Sequence, residues 1–150
     1  MFQDEGRFGR ISQLLPCWAP AGMRPIVAAQ HVREYTYAFA AISPLDGVMD
    51  SLILPEVNGL TMSLFLAEVS RRHPDEHIVM VLDGASWHKG QDLTIPEDME
   101  LLFLPTASPE LNPVEHLWKE MRPRWFANSV FFSMTAVEDL LVQALGRVTN

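Results

Sequence analysis

The chain has 150 residues, 48% of them hydrophobic, and its 19 acidic and 11 basic side chains give a formal net charge of −8. This length suits one globular domain with a sizeable core. A single cysteine, Cys17, excludes an internal disulfide, and no Cys/His cluster has zinc-ligand spacing, so any metal must be held by oxygen. The sequence has no apolar run near 18 residues and is charged within its first four, which argues against a membrane span or secretory signal. We therefore expect a cytoplasmic protein.

The first half of the chain predicts three antiparallel strands. "FQDEGRFGRI" is typical of a strand, and a turn-rich segment with three prolines follows it. "EYTYAFAAIS" alternates Tyr35, Tyr37 and Phe39 on one face, and "GVMDSLILP" follows a "SPLDG" turn as its hairpin partner. We expect these strands to pair in sequential order.

The second half of the chain adds helices and buried strands. From Asn58 the apolar residues take helical spacing, which predicts a helix with Leu60, Leu64, Ala67 and Val69 facing inward. "HIVMVLDG" and "MELLFLP" are continuous apolar runs of the kind found in buried parallel strands. Two further amphipathic helices complete the chain, so the predicted fold is α/β with mixed strand pairing.

The segment "SPELNPVEHLWKEMR" begins the first of these last two helices. Asn112 is a good N-cap and Glu115 follows three residues later, which is the pattern of a capping box. Pro123 is expected to interrupt or kink the chain beyond the helix. Taken alone, Glu115 is therefore more often structural than functional.

Two other acids change that interpretation of Glu115. Asp4 lies in the first strand and Asp83 ends the central apolar strand, where the crevice of an α/β sheet is found. Three carboxylates converging there would repel one another unless cations lay between them, and Mg²⁺ or Mn²⁺ prefers such oxygen ligands. Two such ions promote in-line phosphoryl displacement. The sequence thus predicts metal-dependent cleavage or transfer of a phosphodiester.

Three blocks, "FQDEGRF", "VMVLDGASWHKG" and "LPTASPELNPVEHLWKEMR", resemble in this order the catalytic domain of DDE transposases of the Tc/mariner superfamily, most closely its bacterial insertion-sequence branch. The resemblance spans nearly the whole chain. It implies a ribonuclease-H-like fold, a mixed five-stranded sheet flanked by helices, with Asp4, Asp83 and Glu115 binding two Mg²⁺ or Mn²⁺ ions.

The same resemblance implies a reaction and its partners. A transposase of this type cuts DNA at the ends of its element with water, then joins the freed 3′-hydroxyl to target DNA, commonly at a TA dinucleotide. Family members act in paired complexes, which implies a homodimer on DNA and association with the bacterial nucleoid. No membrane partner is implied.

The chain departs from the family pattern in several places. We interpret residues 1–150 as a single catalytic domain without the helix-turn-helix part that recognises element ends, and its start leaves open a truncated first strand. Gly84 stands where the family commonly has Asn, and Pro123 stands where a basic helix usually continues. The net charge argues against affinity for nucleic acid from the overall field. A second interpretation is therefore a catalytically inactive remnant that keeps the fold and serves only self-association or binding.

Four further residues are candidate contacts to phosphate or DNA. His88 follows Asp83 by five residues and either positions a phosphate or the nucleophile, or is a loop histidine bonded to backbone. Lys119, Arg122 and Arg124 lie beside the predicted site and are the better phosphate candidates.

Two residues near the predicted acids, Glu5 and Trp118, are expected to have structural roles. Glu5 adjoins Asp4 in a strand and so faces the opposite side of the sheet. Trp118 lies on the apolar stripe of its helix, which favours a core position over stacking on a base.

Overall fold

The structure, a computed structural model, describes residues 1–88, 90, 92–106 and 108–148. Its strands and helices, in chain order, are β1 (Phe2–Ile11), β2 (His31–Ile42), β3 (Met49–Leu54), α1 (Gly59–Arg72), β4 (Ile78–Leu82), β5 (Met99–Phe103), α2 (Pro113–Met121) and α3 (Met134–Val148). Short 3₁₀ turns at Ser86–His88 and Pro109–Leu111 follow β4 and precede α2.

The strands form one mixed sheet in the order β3-β2-β1-β4-β5. β2 runs antiparallel to both β1 and β3, whereas β4 runs parallel to β1 and to β5. This confirms the predicted α/β sheet with three sequential antiparallel strands. Phe2 lies opposite Val81 in the parallel pair. Continuing that register by two residues brings Asp4 level with Asp83, just beyond the carboxyl end of β4.

The two faces of the sheet are covered by different helices. α1 packs on the face that carries Phe39 and Ala41 of β2, and α2 and α3 pack on the face that carries Ala38 and Ala40. The division follows from the alternation of side chains along a strand. Within the described residues, no helix is both long and apolar enough to cross a membrane.

The predicted inward face of α1 is largely wrong. Leu60 and Leu64 are 70% and 55% exposed and Ala67 is exposed too, while Val69 is buried as expected. The buried residues of the helix are Gly59, Met62, Phe65, Leu66 and Val69. Because α1 carries apolar residues on more than one side, its sequence offers two possible stripes. Packing against the sheet selects the bulkier one, which contains Phe65.

The expected interruption at Pro123 is present. α2 ends at Met121, and residues 122–126 form a wider π-helical turn that closes with a 3.0 Å bond from the Ala127 amide to the Arg122 carbonyl. Proline has no amide hydrogen to continue an α-helical ladder. The turn redirects the chain toward α3.

A buried carboxylate joins the end of α1 to β3. Asp50, at 5% exposure, accepts hydrogen bonds from Arg72 at 3.0 Å and from His73 Nε2 at 2.7 Å. Glu76 lies 3.2 Å from the other ring nitrogen. The bond to Asp50 is the main reason that the pKa of His73 is raised. The protonated imidazole therefore stabilises this corner of the fold.

We expect His73→Gln to reduce the free energy of unfolding by about 1 kcal/mol more at pH 6 than at pH 9. The pKa of His73 is raised on folding, so its contribution is complete below the ordinary value of 6.5 and is lost as pH rises through the folded value. Urea denaturation at both pH values measures the difference. His77→Gln, at an exposed histidine, is the control. A difference between wild type and His73→Gln that does not change with pH would contradict this assignment.

Candidate active site

A cleft of about 290 Å³ opens beyond the carboxyl ends of β4 and β5. Asp4, Asp83 and Glu115 all line it, together with the loops that follow β4 and β5 and the start of α2. Asp4 comes from the beginning of β1, Asp83 directly follows β4, and Glu115 lies in the first turn of α2. The structure thus brings the three predicted acids to one cavity, although 111 residues of sequence separate the first from the last.

Asn112 fixes the start of α2 against β1. Its side-chain oxygen accepts from the amide of Val114 at 3.1 Å, which caps the helix. Its side-chain nitrogen donates to the carbonyl of Gln3 at 2.9 Å, one residue before Asp4. Asn112 itself is almost fully buried. The cap is therefore formed by Asn112, while Glu115 lines the cleft.

Burial and neighbouring negative charge together shape the electrostatics of the cleft. The pKa of Asp4 is raised to about 7, first by burial and then by the charges of Glu115 and Glu5. A hydrogen bond from the Trp118 indole, 2.9 Å from Asp4 Oδ2, acts in the opposite direction. A carboxyl that is buried beside other acidic groups is a favourable position for a cation.

His88 links Asp83 to the other face of the sheet. Its Nδ1 lies 3.0 Å from the Asp83 carbonyl and 2.9 Å from Asp83 Oδ1, and its Nε2 lies 3.0 Å from Glu5 Oε1. Burial lowers the pKa of His88, but the bonds and charges of Glu5 and Asp83 outweigh it and leave the pKa raised. The ring is only 1% exposed, and Asp83 is 60% exposed. This geometry favours a structural role for His88, which holds Asp83, over a direct contact to phosphate.

The predicted basic contacts do not converge on the cleft. Lys119 is exposed on α2, one turn beyond Glu115, and Arg122 lies over the Phe8 ring at 5.5 Å. Arg124 lines a separate groove, where it lies 5.6 Å from the Trp125 ring. Among the described residues that line the three-acid cavity, none is basic.

The sequence interpretation missed the polar contacts that hold the acids. Trp118 was assigned to the core, and at 1% exposure it belongs there, but its indole also bonds Asp4. Glu5 was assigned a structural role without its partner His88. The sequence held only a weak indication of these contacts. Trp118 follows Glu115 by three residues and so lies near it on the helix, and Gly6 follows Asp4 by two and so shares its face of the strand.

The sheet order, with β2 antiparallel to the other strands and helices on both faces, defines the ribonuclease-H-like class, as predicted. The chain belongs to the DDE superfamily endonuclease family, whose sequence pattern matches residues 1–137. This confirms the family resemblance found in the three sequence blocks. An uncharacterized protein of Sinorhizobium fredii, y4pE/y4sA, is 42% identical over 98 residues, which are 65% of this chain and 73% of that protein.

Solved structures of Mos1 transposase share the fold. The paired-end complex with the left transposon end has a TM-score of 0.68 at 18% identity, over 95% of this chain and 46% of that one. A pre-cleavage Mos1 transpososome has a TM-score of 0.69 at 16% identity, with the same coverage. The Mos1 mariner paired-end complex with Mn has a TM-score of 0.68 at 16% identity, again over 95% and 46%. The chain therefore spans about half the length of these transposase chains.

We expect His88→Gln to lower the free energy of unfolding by about 3 kcal/mol, because it removes the imidazole that pairs with the nearly buried Glu5 carboxylate. Urea denaturation of His88→Gln, Glu5→Gln and the double variant forms a mutant cycle. The double variant should be less destabilised than the sum of the single changes, since it leaves no charge unpaired. Additive effects would show that the two side chains are not coupled.

Proposed function

We propose that this chain is the catalytic domain of a DNA transposase, which cleaves phosphodiester bonds at element ends and transfers the 3′-hydroxyl to target DNA. The observation that carries the proposal is the single cleft lined by Asp4, Asp83 and Glu115, where burial first and then the charges of Glu115 and Glu5 raise the pKa of Asp4. Membership of the DDE endonuclease family supports the same chemistry.

The residues of the cleft fit Mg²⁺ or Mn²⁺. All three candidate ligands are carboxylates, and their crowding leaves negative charge that no basic residue lining the described part of the cavity offsets. Within the described residues, no three acidic, histidine or cysteine side chains form a preformed metal cluster. Mg²⁺ keeps several waters and is usually held by only one or two protein carboxylates. One Mos1 complex contains Mn, which supports the choice of a divalent ion.

Asp4, Asp83 and Glu115 would hold two such ions, which when bound activate the attacking oxygen and stabilise the leaving oxygen. The chain itself supplies orientation. His88 and the Ala85 amide, which donates to Asp83 Oδ1 at 3.0 Å, restrain Asp83. Water for cleavage and the 3′-hydroxyl for strand transfer would use the same three acids in turn.

DNA is the proposed substrate, and α2 is the proposed contact surface. Lys119 follows Glu115 by four residues and so lies on the same side of α2, and Arg122 directly follows the helix. In this proposal they bind phosphates of the DNA outside the cleft itself. Arg124, in the adjoining groove, would contact phosphates farther along. A TA-containing target and recognition of element ends by a separate helix-turn-helix part complete the proposal.

A homodimer on DNA is supported by the long connection between β1 and β2, residues 12–30, which we call the arm. Its side chains Trp18 and Ile26 are fully exposed. Its base is held firmly: the side chain of Asn128 accepts from the Leu15 amide at 3.0 Å and donates to the Leu15 carbonyl at 3.2 Å. An apolar tip on a fixed base is suited to pack against a second copy of the chain.

The decisive test is Mn²⁺ titration by calorimetry together with nicking of supercoiled DNA. Wild type should bind Mn²⁺ and nick DNA, and Asp83→Asn should reduce both to background, because it removes one charged ligand while keeping the shape of the side chain. Asp75→Asn, at an exposed aspartate outside the cleft, should behave as wild type.

The outcome separates the two interpretations of the chain. Loss of both signals only in Asp83→Asn supports a working catalytic domain. A folded wild type that neither binds Mn²⁺ nor nicks DNA would contradict the proposal and favour the inactive remnant that keeps the fold.

The proposed role of the arm in dimer formation can be tested separately. We expect the double change Trp18→Ser with Ile26→Ser to weaken self-association at least about tenfold, measured by analytical ultracentrifugation with and without a short DNA duplex. The melting temperature should not change, because both side chains are exposed in the free chain. Leu45→Ser, at a fully exposed turn residue, is the control. A wild type that remains monomeric on DNA would contradict the dimer.

A further inference from the structure

Trp118 is buried in the core and at the same time touches the cleft. The indole is 1% exposed and packs edge-on against Phe8, with ring centroids 5.8 Å apart and an interplanar angle of 73°. Its Nε1 hydrogen donates to Asp4 Oδ2 at 2.9 Å. The ring therefore has one fixed place, and that place directs its single polar atom at a candidate metal ligand.

Gly6 leaves the space that the indole ring of Trp118 occupies. A Cβ atom at this position would lie 2.8 Å from Trp118 Cδ2 and 2.8 Å from Phe8 Cε2, closer than carbon atoms approach. Gly6 follows Asp4 by two residues and so shares its face of β1. The absence of a side chain at Gly6 lets the ring lie against the strand, where its nitrogen can reach Asp4.

The chemistry of the donor matters as much as its position. An indole N–H donates one hydrogen bond, accepts none and carries no charge. A lysine or arginine at this place would neutralise Asp4 and compete with a metal ion, whereas the indole restrains the carboxylate and leaves its charge intact. A carboxylate has about four lone-pair positions, so one donor leaves the others for metal.

We propose that Trp118 is a positioning residue that orients the Asp4 carboxylate for metal binding. The inference rests on the proposed function, because it assigns a role toward the same site. Among the described residues, Trp118 in α2 and its N-cap Asn112 each make a side-chain hydrogen bond to the start of β1, and Glu115 lies midway between them in sequence. Trp118 thereby also sets the place of Glu115 relative to Asp4.

Trp118→Phe tests the role, since it removes the N–H and keeps most of the apolar ring. We expect the dissociation constant for Mn²⁺, measured by calorimetry on the full chain, to rise about 10- to 100-fold, as is typical when a partner of a metal ligand is lost. Trp125→Phe makes the same chemical change away from the three acids and should leave the constant unaltered. Equal Mn²⁺ affinity in wild type and Trp118→Phe would overturn the proposal.

A second measurement separates this inference from the proposed function. In ¹H–¹⁵N spectra of the metal-free chain, the indole resonance that disappears in Trp118→Phe should shift in Asp4→Ala, more than the resonances of the other three tryptophans. If it does not shift, the hydrogen bond is absent and the inference fails whatever the metal does. If it shifts but wild type binds no Mn²⁺, the proposed function fails, and the bond is only structural.

Discussion

The parallel pairing of β1 with β4 is the constraint on which the rest of the site depends. It places Phe2 opposite Val81, and the same register continued by two residues brings Asp4 level with Asp83. α2 then lies against the start of β1 through Asn112 and Trp118, which adds Glu115 to the same cleft. Each acid is thus placed by backbone or buried side-chain bonds. The fold thus brings the three acids to one cleft.

Crowded carboxylates are costly in a fold without a cation, and the surrounding structure shows how that cost is contained. The pKa of Asp4 is raised to about 7, so near neutral pH a proton on Asp4 relieves part of the repulsion. Asp83 is mostly exposed, which lets water screen it, and His88 offsets its charge and that of Glu5. A divalent ion bound between the carboxylates would offset their negative charge directly, in place of the proton, the water and His88. The chain also has an acidic net charge, which would repel the phosphates of DNA. Cations bound at the site would reduce that repulsion locally.

The sequence predicted the sequential antiparallel pairing of β1 to β3, the end of α2 near Pro123 and the position of Asp4, Asp83 and Glu115 at one cleft, because each depends on local pattern or on a recognisable motif. It did not predict the buried face of α1, where Leu60 and Leu64 are apolar but exposed. An apolar pattern that suits two faces is resolved only by the surface it packs on. His88 shows the same limit: its two partners come from β1 and from the end of β4, so no spacing along the chain reveals them.

The sequence by itself determined the class of the fold and the identity of the candidate ligands, since alternation, apolar runs, helix caps and family motifs are all encoded within short segments. Only the tertiary structure decided which neutral or cationic groups hold those ligands. Trp118 and Asp4 are 114 residues apart, and their hydrogen bond depends on the space left by Gly6 and on the way α2 packs against β1. Contacts of this kind follow from packing in three dimensions, where sequence distance carries no information.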